Sequence, residues 1–388
     1  MLYRPEAHER LTEEPWDEER VRTATRAIVA DAEAAFDPDS LWPAHDWDAF
    51  EMNLPLTHLY SGAAGTVLAL HAMRRHVDVE LDLRAASRRV LELWRAGPGF
   101  DELPHMPDLP PERDASYWMG ETGPLLVAWL VEPEPELADA LLARVRENAR
   151  SRTNELMWGA PGTMHAARCV WERTGDARWA DAWRESADEL RRRRDADGLW
   201  TTRLYGNVYR SINASHGFAA NARTLLQGGA DPEIERAARE GAARTAVVED
   251  GLTNWPISEE RDLVAEDGEI RVQWCAGAGG MVEALANVLD EELLLAGAEL
   301  VWRAGPPAKG PMLCHGTAGN GYALLKVFRR TGDERWLERA RRFAMHALAQ
   351  VDTLPPRYSL FGGGLGAALF AVACIGGDAR FPTLELWD

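Results

Sequence analysis

Residues 313–336 read LCHGTAGNGYALLKVFRRTGDERW, and residues 156–179 repeat the same order of events as LMWGAPGTMHAARCVWERTGDARW. In both, a Gly-x-x-Gly element precedes an apolar run, which is followed by Thr-Gly-Asp and a segment rich in Arg, Ala and Glu. Glycine commonly ends one helix, and aspartate commonly caps the next. The pattern therefore predicts a hairpin of two helices, the first buried and the second charged on one face.

The glycine element recurs along the whole chain. Six copies and a degenerate seventh, which ends in alanine, occur at 62–65, 120–123, 159–162, 217–220 (the degenerate copy), 277–280, 316–319 and 363–366. The shortest spacing, 39 residues, suits two helices of three to four turns with their connections. The longer units are the same hairpin with insertions.

The number of predicted helices indicates a closed ring. Seven apolar helices follow the seven glycine elements, but only six amphipathic helices do, and a predicted helix near residues 18–35 supplies the missing one. No run of alternating apolar and polar residues predicts a β-strand. We expect an all-α fold, an α/α toroid (barrel) of seven inner and seven outer helices. It should form a single domain over residues 1–388, in which residues 1–36 provide the outer helix that closes the toroid.

The insertions fall between an outer helix and the next glycine element, at about residues 97–117, 195–213 and 250–271. This topology puts them on the rim where the inner helices begin. Long loops that crowd one rim favour a binding mouth there. Surface insertions without a function are the alternative.

Composition excludes several classes of protein. With 43 Lys+Arg against 62 Asp+Glu, the net charge of −19 argues against nucleic acid or an anionic membrane as a partner. No apolar run is long enough to span a membrane, and the acidic first 20 residues do not resemble a signal peptide. We therefore expect a cytoplasmic protein. Four cysteines do not form a disulfide framework, and the oligomeric state is not indicated.

The candidate metal ligands lie beside the glycines. Cys275 and Cys314 each stand two residues before the first glycine of adjacent elements, and His315 follows Cys314. Equivalent positions in neighbouring repeats should bring these three side chains together. A Cys₂His set leaves one position open, which is typical of catalytic zinc. Cys169 and Cys374 lie inside helical runs and are expected to be structural.

Three more polar residues belong to the same rim. His216 has the register of His315, Glu155 lies four residues before Gly159, and Arg271 lies four before Cys275. His216 could act as a proton shuttle or be a helix cap or core residue. Glu155 and Arg271 could take part in catalysis or form loop ion pairs.

The motifs WCAGAGG (274–280), CHGTAGN (314–320) and His216-Gly217 resemble the lanthionine synthetase C-like (LanC-like) family. With the seven glycine elements, the resemblance extends from about residue 50 to the end of the chain. It implies a toroid of seven plus seven helices around a zinc ion, Zn²⁺, bound by Cys275, Cys314 and His315.

Details of the sequence are closer to the eukaryotic LanC-like branch than to the bacterial lantibiotic cyclases. ELMWG (155–159), SLFGG (359–363) and the ending ARFPTLEL (379–386) resemble elements of the eukaryotic branch. In the bacterial cyclases the position of Glu155 is Asp, and Arg271 coincides with an active-site Arg. Their tyrosine after the first zinc cysteine is replaced here by Ala276.

The resemblance implies a thioether-forming enzyme. A zinc-activated thiol would add to dehydroalanine or dehydrobutyrine, Arg271 would stabilise the resulting enolate and His216 would protonate it, with Glu155 orienting His216 or accepting the thiol proton. The partners would be a peptide or protein carrying the dehydroamino acid, and a peptide cysteine or a small thiol such as glutathione. The alternatives are a non-catalytic, zinc-stabilised peptide-binding scaffold, or another α-toroid enzyme such as a glycosidase or a prenyltransferase.

Overall fold

The computed structural model describes residues 1–49, 54–97, 107–260, 263–265 and 268–385. Within these residues the helices are α1 (Glu18–Ala34), α2 (Asp46–Ala49), α3 (Ala63–Met73), α4 (Leu83–Ala96), α5 (Thr122–Val131), α6 (Pro135–Asn148), α7 (Ala160–Thr174), α8 (Ala177–Arg192), α9 (Phe218–Leu226), α10 (Pro232–Thr245), α11 (Ala278–Leu285), α12 (Glu291–Ala304), α13 (Thr317–Thr331), α14 (Glu334–Thr353) and α15 (Gly364–Gly376). The odd-numbered helices from α3 to α15 form the inner layer, and α1 with the even-numbered helices from α4 to α14 forms the outer layer. The predicted α/α toroid of seven inner and seven outer helices is confirmed.

The helix ends follow the predicted capping chemistry. Gly175 and Gly332 end α7 and α13 in the left-handed conformation, with φ of 67° and 70°. Asp176 and Asp333 then cap α8 and α14 by accepting hydrogen bonds from the backbone N–H groups two residues on. The Thr-Gly-Asp sequences therefore turn the chain between an inner and an outer helix, as predicted.

The inner helices are buried nearly all round, because their side chains fill the toroid or pack against the outer layer. In α3 ten of 11 residues are buried, and in α15 nine of 13. No helix in the described ranges is both long and apolar enough to cross a lipid bilayer.

The last glycine of each element is where neighbouring repeats approach each other most closely. A Cβ added at Gly319 would lie 1.9 Å from the carbonyl oxygen of Leu313 and 2.8 Å from Cβ of Trp274, in the preceding repeat. A Cβ added at Gly65 would lie 2.2 Å from the oxygen of Leu59 and 3.0 Å from Cβ of Leu360, in the last repeat. Only glycine leaves room for these contacts, so Gly65 closes the toroid between its first and last repeats.

Backbone hydrogen bonds join the loops that lead into the inner helices. The N–H of Cys275 donates to the carbonyl of Cys314 at 2.9 Å, and the N–H of Cys314 donates to that of Phe361 at 3.2 Å. Phe361 donates in turn to the carbonyl of Tyr60 at 3.4 Å, and Tyr60 to that of Trp118 at 3.0 Å. Closure is completed outside by α1, which packs against α14 and α15.

Two short antiparallel hairpins rise from the long insertions: β1 (Thr202–Leu204) with β2 (Asn207–Tyr209), and β3 (Val247–Glu249) with β4 (Leu252–Asn254). The two-residue turn of the first hairpin has positive φ at both positions, 53° at Tyr205 and 72° at Gly206. Strands of three residues are too short to show an alternating pattern, so the sequence did not indicate them. Parts of the predicted insertions (98–106, 261–262 and 266–267) lie outside the described residues.

We predict that Gly65→Ala lowers the free energy of unfolding by about 2 kcal/mol or more, because the added methyl group must displace backbone. Gly376→Ala is the control, since nothing lies within 4 Å of an added Cβ at that helical position. It should leave stability unchanged or raise it by up to ~1 kcal/mol. Denaturant unfolding of both variants checks this, and equal stabilities would contradict the role given to Gly65.

We propose that residues 1–36 are an integral part of one domain. Val21, Val29 and Ala32 of α1 are buried, so deletion of residues 1–36 should expose the apolar surface of α15 and give an insoluble or molten protein. Solubility, near-ultraviolet circular dichroism and thermal unfolding are the measurements. Full-length Glu19→Gln, on the exposed face of α1, is the control. A soluble truncated chain that unfolds cooperatively would disprove the proposal.

Candidate functional site

Two sulfurs and an imidazole meet where α11 and α13 begin. The ligand atoms of Cys275, Cys314 and His315 all lie within 4.8 Å of one another. The hydrogen bond between the backbones of Cys275 and Cys314 holds the two loops side by side. The expected convergence of these residues is therefore present, and it gives a group able to hold a metal ion.

The surroundings of the two sulfurs favour negative charge on Cys275, whereas the hydrogen bond with Cys275 raises the pKa of Cys314 well above its usual value. Tyr60 Oη donates to Cys314 Sγ at 2.8 Å, and Gln273 Nε2 donates to Cys275 Sγ at 3.0 Å. The hydrogen bond from the Cys314 thiol, followed by contact with His315, holds the pKa of Cys275 well below its usual value. Two sulfurs that accept hydrogen bonds, together with one imidazole, are a donor set that fits zinc.

A buried carboxylate orients His216. Glu155 is fully buried and accepts hydrogen bonds from the N–H groups of Met157 at 2.8 Å and Trp158 at 2.6 Å. Its carboxylate also lies 2.8 Å from Nδ1 of His216, which leaves Nε2 for contact with a substrate. Burial lowers the pKa of His216 and the Glu155 carboxylate raises it, with a net shift upward.

Arg271 lines the same cavity as His216 and the three candidate ligands. Its Nε lies 3.9 Å from Oε2 of Glu269, a loose ion pair, and Lys309 Nζ lies 2.9 Å from the same oxygen. The Arg271 side chain is 29% exposed. A positive charge in this cavity can therefore reach a bound molecule.

The cavity has a volume of about 720 Å³. Tyr205 and Tyr209 of the first hairpin and the loop at Ile257 form part of its wall, so the described parts of two insertions do lie at this rim. A second cavity of about 580 Å³ adjoins it and is lined largely by apolar side chains. Trp47, Lys309 and His315 border both cavities, so the candidate metal site stands at their junction.

Three residues at the site were not predicted from the sequence. Tyr60 has the register of Cys275 and Cys314 in the first repeat, two residues before Gly62, and that register could have identified it. Gln273 carries no such signal. Trp47 is 55% exposed, and the centre of its aromatic ring system lies 5.6 Å from that of His315.

A buried ion pair explains the position of Trp47. The neighbouring Asp48 accepts hydrogen bonds from Arg357 Nε at 2.7 Å and from Ser359 Oγ at 2.9 Å. These bonds attach α2 to the loop before α15, at a sequence separation of about 310 residues. Such a contact has no local sequence signature.

Cys169 and Cys374, expected to be structural, are fully buried in α7 and α15 and lie outside the ligand group. Burial raises the pKa of the Cys374 thiol well above its usual value. An apolar environment of this kind leaves a cysteine protonated and unreactive.

The three candidate ligands, His216 and Arg271 lie within a segment that matches a family model, whereas Glu155 and Tyr60 precede it. The family model described as lanthionine synthetase C-like protein matches residues 214–386. Glutathione S-transferase LANCL1 of Danio rerio is 30% identical over 148 residues, which are 34% of this chain and 36% of that protein. LanC-like protein GCL1 of Arabidopsis thaliana is 33% identical over 152 residues, which are 34% of this chain and 33% of that protein.

The matching segments thus span about a third of the length of these curated relatives. The solved structure of nisin cyclase is similar over 92% of this chain and 94% of its own, with a TM-score of 0.62 at 13% identity, and shows the same fold. Residues 214–386 are therefore similar to the lanthionine synthetase C-like family, and the two eukaryotic relatives, at 30% and 33% identity over their matching segments, are closer in sequence than nisin cyclase at 13%.

Proposed function

We propose that this protein catalyses the zinc-dependent addition of a thiol to dehydroalanine or dehydrobutyrine, forming a thioether bond of the lanthionine type. One observation carries the proposal: the Cys275, Cys314 and His315 group shares a cavity with His216, whose imidazole is held by the buried Glu155. A metal-binding group and an oriented acid–base residue around one space are what this addition requires.

Cys275, Cys314 and His315 are the proposed zinc ligands. When bound, zinc supplies a Lewis acid that lowers the pKa of a substrate thiol, which then reacts as a thiolate near neutral pH. Tyr60 and Gln273 donate hydrogen bonds to the two cysteine sulfurs, so they orient these two ligands.

The addition forms a C–S bond at the β-carbon of the dehydroamino acid. The electron pair of the C=C bond moves into the adjoining carbonyl and gives an enolate. Arg271 stabilises this developing negative charge from the cavity wall. His216 then delivers a proton to the α-carbon from Nε2, while Glu155 holds Nδ1, and the proton released by the thiol replaces the one that His216 gives up.

The electrophile is a peptide or protein that carries a dehydroamino acid, and the thiol is a peptide cysteine or a small thiol such as glutathione. The names of two similar proteins, nisin cyclase and glutathione S-transferase LANCL1, correspond to these two alternatives. Because both the site and its substrate need free thiols, the proposed location is the reducing cytoplasm.

The proposed ligands make a direct prediction about metal content. Wild-type protein should contain about one zinc per chain, and Cys314→Ala should lose it, because two protein ligands hold zinc much more weakly than three. Cys169→Ser, a buried cysteine outside the group, is the matched control and should keep the metal. Elemental analysis after dialysis against a chelator measures this. Stoichiometric zinc in Cys314→Ala would refute the ligand assignment.

The catalytic roles are tested by thioether formation, followed by mass spectrometry. His216→Asn should keep zinc but slow the reaction by a factor on the order of 10²–10⁴, the usual contribution of a positioned general acid. Arg271→Gln should slow it on the order of 10²-fold, through lost stabilisation of the enolate. His76→Asn, on the surface, is the control and should react at the wild-type rate.

Two substrate arms separate the thiol alternatives: glutathione with a dehydroalanine peptide, and a peptide that carries both cysteine and dehydroalanine. An unchanged rate in His216→Asn would remove His216 as the proton donor while leaving the enzyme. If zinc-loaded protein binds these peptides but forms no product, the peptide-binding scaffold is the better description.

A further inference from the structure

The segment Ala379–Glu385 lies inside the toroid, although it follows the last inner helix. Apart from Arg380 and the partly exposed Glu385, its residues are buried. Arg168 Nη2 of α7 donates to the carbonyl of Leu384 at 2.7 Å, and Lys326 Nζ of α13 lies 2.5 Å from the carboxylate of Glu385. Residues 379–385 are therefore anchored to two different inner helices.

The backbone of this segment is strained. Thr383 is fully buried and has φ of +68°, a conformation that is rare and unfavourable for a β-branched residue. Two hydrogen bonds hold it there: Tyr117 Oη donates to its carbonyl at 2.7 Å, and Trp118 Nε1 donates to its Oγ1 at 3.3 Å. A costly conformation held by buried contacts often has a functional reason.

Phe381 connects the segment to the candidate metal centre. Its aromatic ring stacks on that of Trp274, with 4.5 Å between centroids and 10° between planes. Trp274 directly precedes Cys275, and its indole N–H donates to Glu283 at 2.8 Å. Because a stack and a hydrogen bond fix the side chain of Trp274, the backbone that presents Cys275 has little freedom.

A second set of contacts leads from Trp274 to the other sulfur. The ring centroids of Trp274 and Trp118 lie 6.0 Å apart, and the ring centroid of Phe361 lies 4.9 Å from those of both Trp118 and Tyr60. Tyr60 in turn donates its hydroxyl hydrogen to Cys314 Sγ. An aromatic cluster (Tyr60, Trp118, Trp274, Phe361 and Phe381) thus connects residues 379–385 with the positions of both cysteines.

We propose that residues 379–385 are the floor of the candidate metal centre, and that Phe381 is a positioning residue for Cys275, acting through Trp274. Phe381 belongs to none of the cavity walls described above, so any effect of its replacement on the site passes through the aromatic cluster. The test of this inference by zinc affinity rests on the proposed zinc site, whereas its test by hydrogen exchange in the metal-free protein does not.

The test compares Phe381→Leu with Phe343→Leu. Phe343 is also fully buried and lies 6.0 Å from Trp302, but it belongs to the outer helix α14. Both variants lose aromatic packing and should melt at lower temperature than the wild type. Phe381→Leu alone should raise the zinc dissociation constant about 10-fold or more, measured by chelator competition, as is typical for residues that support metal ligands. Phe343→Leu should change it less than about twofold.

Hydrogen exchange in the metal-free proteins provides the second measurement. The peptide that contains residues 272–276 should exchange at least several-fold faster in Phe381→Leu and at the wild-type rate in Phe343→Leu. If the wild type binds no zinc, the proposed ligand site fails, and this measurement alone still decides the role of Phe381. Equal exchange and equal zinc affinity in the two variants would overturn the inference.

If Phe381→Leu does not fold, Glu385→Gln takes its place. The Glu385 carboxylate accepts a hydrogen bond from the backbone N–H of Phe381 at 2.9 Å, so losing its charge weakens the anchor without opening the core. Faster exchange at residues 272–276 is again the expected result, and wild-type exchange would contradict the proposed floor.

Discussion

The close approach of neighbouring repeats at the last glycine of each element is the constraint on which the structure depends. At this glycine the backbone lies against the carbonyl oxygen of the residue six positions earlier and against a side chain of the preceding repeat. The space that remains is too small for a Cβ atom. At Gly65 the neighbour is Leu360, from the other end of the toroid. Six of the seven elements have this glycine, and the fourth has Ala220 instead. The same contact, repeated around the fold, sets the spacing of the inner helices and allows the toroid to close.

The chemistry of the site is a consequence of that spacing. Because the loops before the inner helices hydrogen-bond to their neighbours, residues of equal register become adjacent in space. Cys275 and Cys314 share one register, and His216 and His315 share the next. In a toroid built from equivalent repeats, a given position of each repeat therefore lies at the same rim. Metal-ligating residues at that position in only a few repeats are then enough to form a candidate metal centre.

Burial of charge is tolerated at this rim only because the charged groups are paired. Glu155 is fully buried, but its carboxylate accepts two backbone hydrogen bonds and contacts His216. Asp48 is similarly buried and bonds to Arg357 and Ser359. Removing one member of such a pair would leave an uncompensated charge in the interior. The pairs therefore hold His216 and the Trp47 helix in fixed positions beside the cavity.

The sequence by itself was enough for the toroid, its helix count and the convergence of Cys275, Cys314 and His315. These features depend on local signals, the glycine elements and the Thr-Gly-Asp caps, whose repetition makes register visible in one dimension. The tertiary structure decided what joins distant parts of the chain: the Glu155–His216 pair, the hydrogen bond from Tyr60 to Cys314, the position of Trp47 and the stacking of Phe381 on Trp274. It also revealed the two hairpins, of which the first lines the cavity. These contacts join side chains far apart in the sequence, 254 residues for the hydrogen bond from Tyr60 to Cys314, and no local pattern shows which side chains will pair.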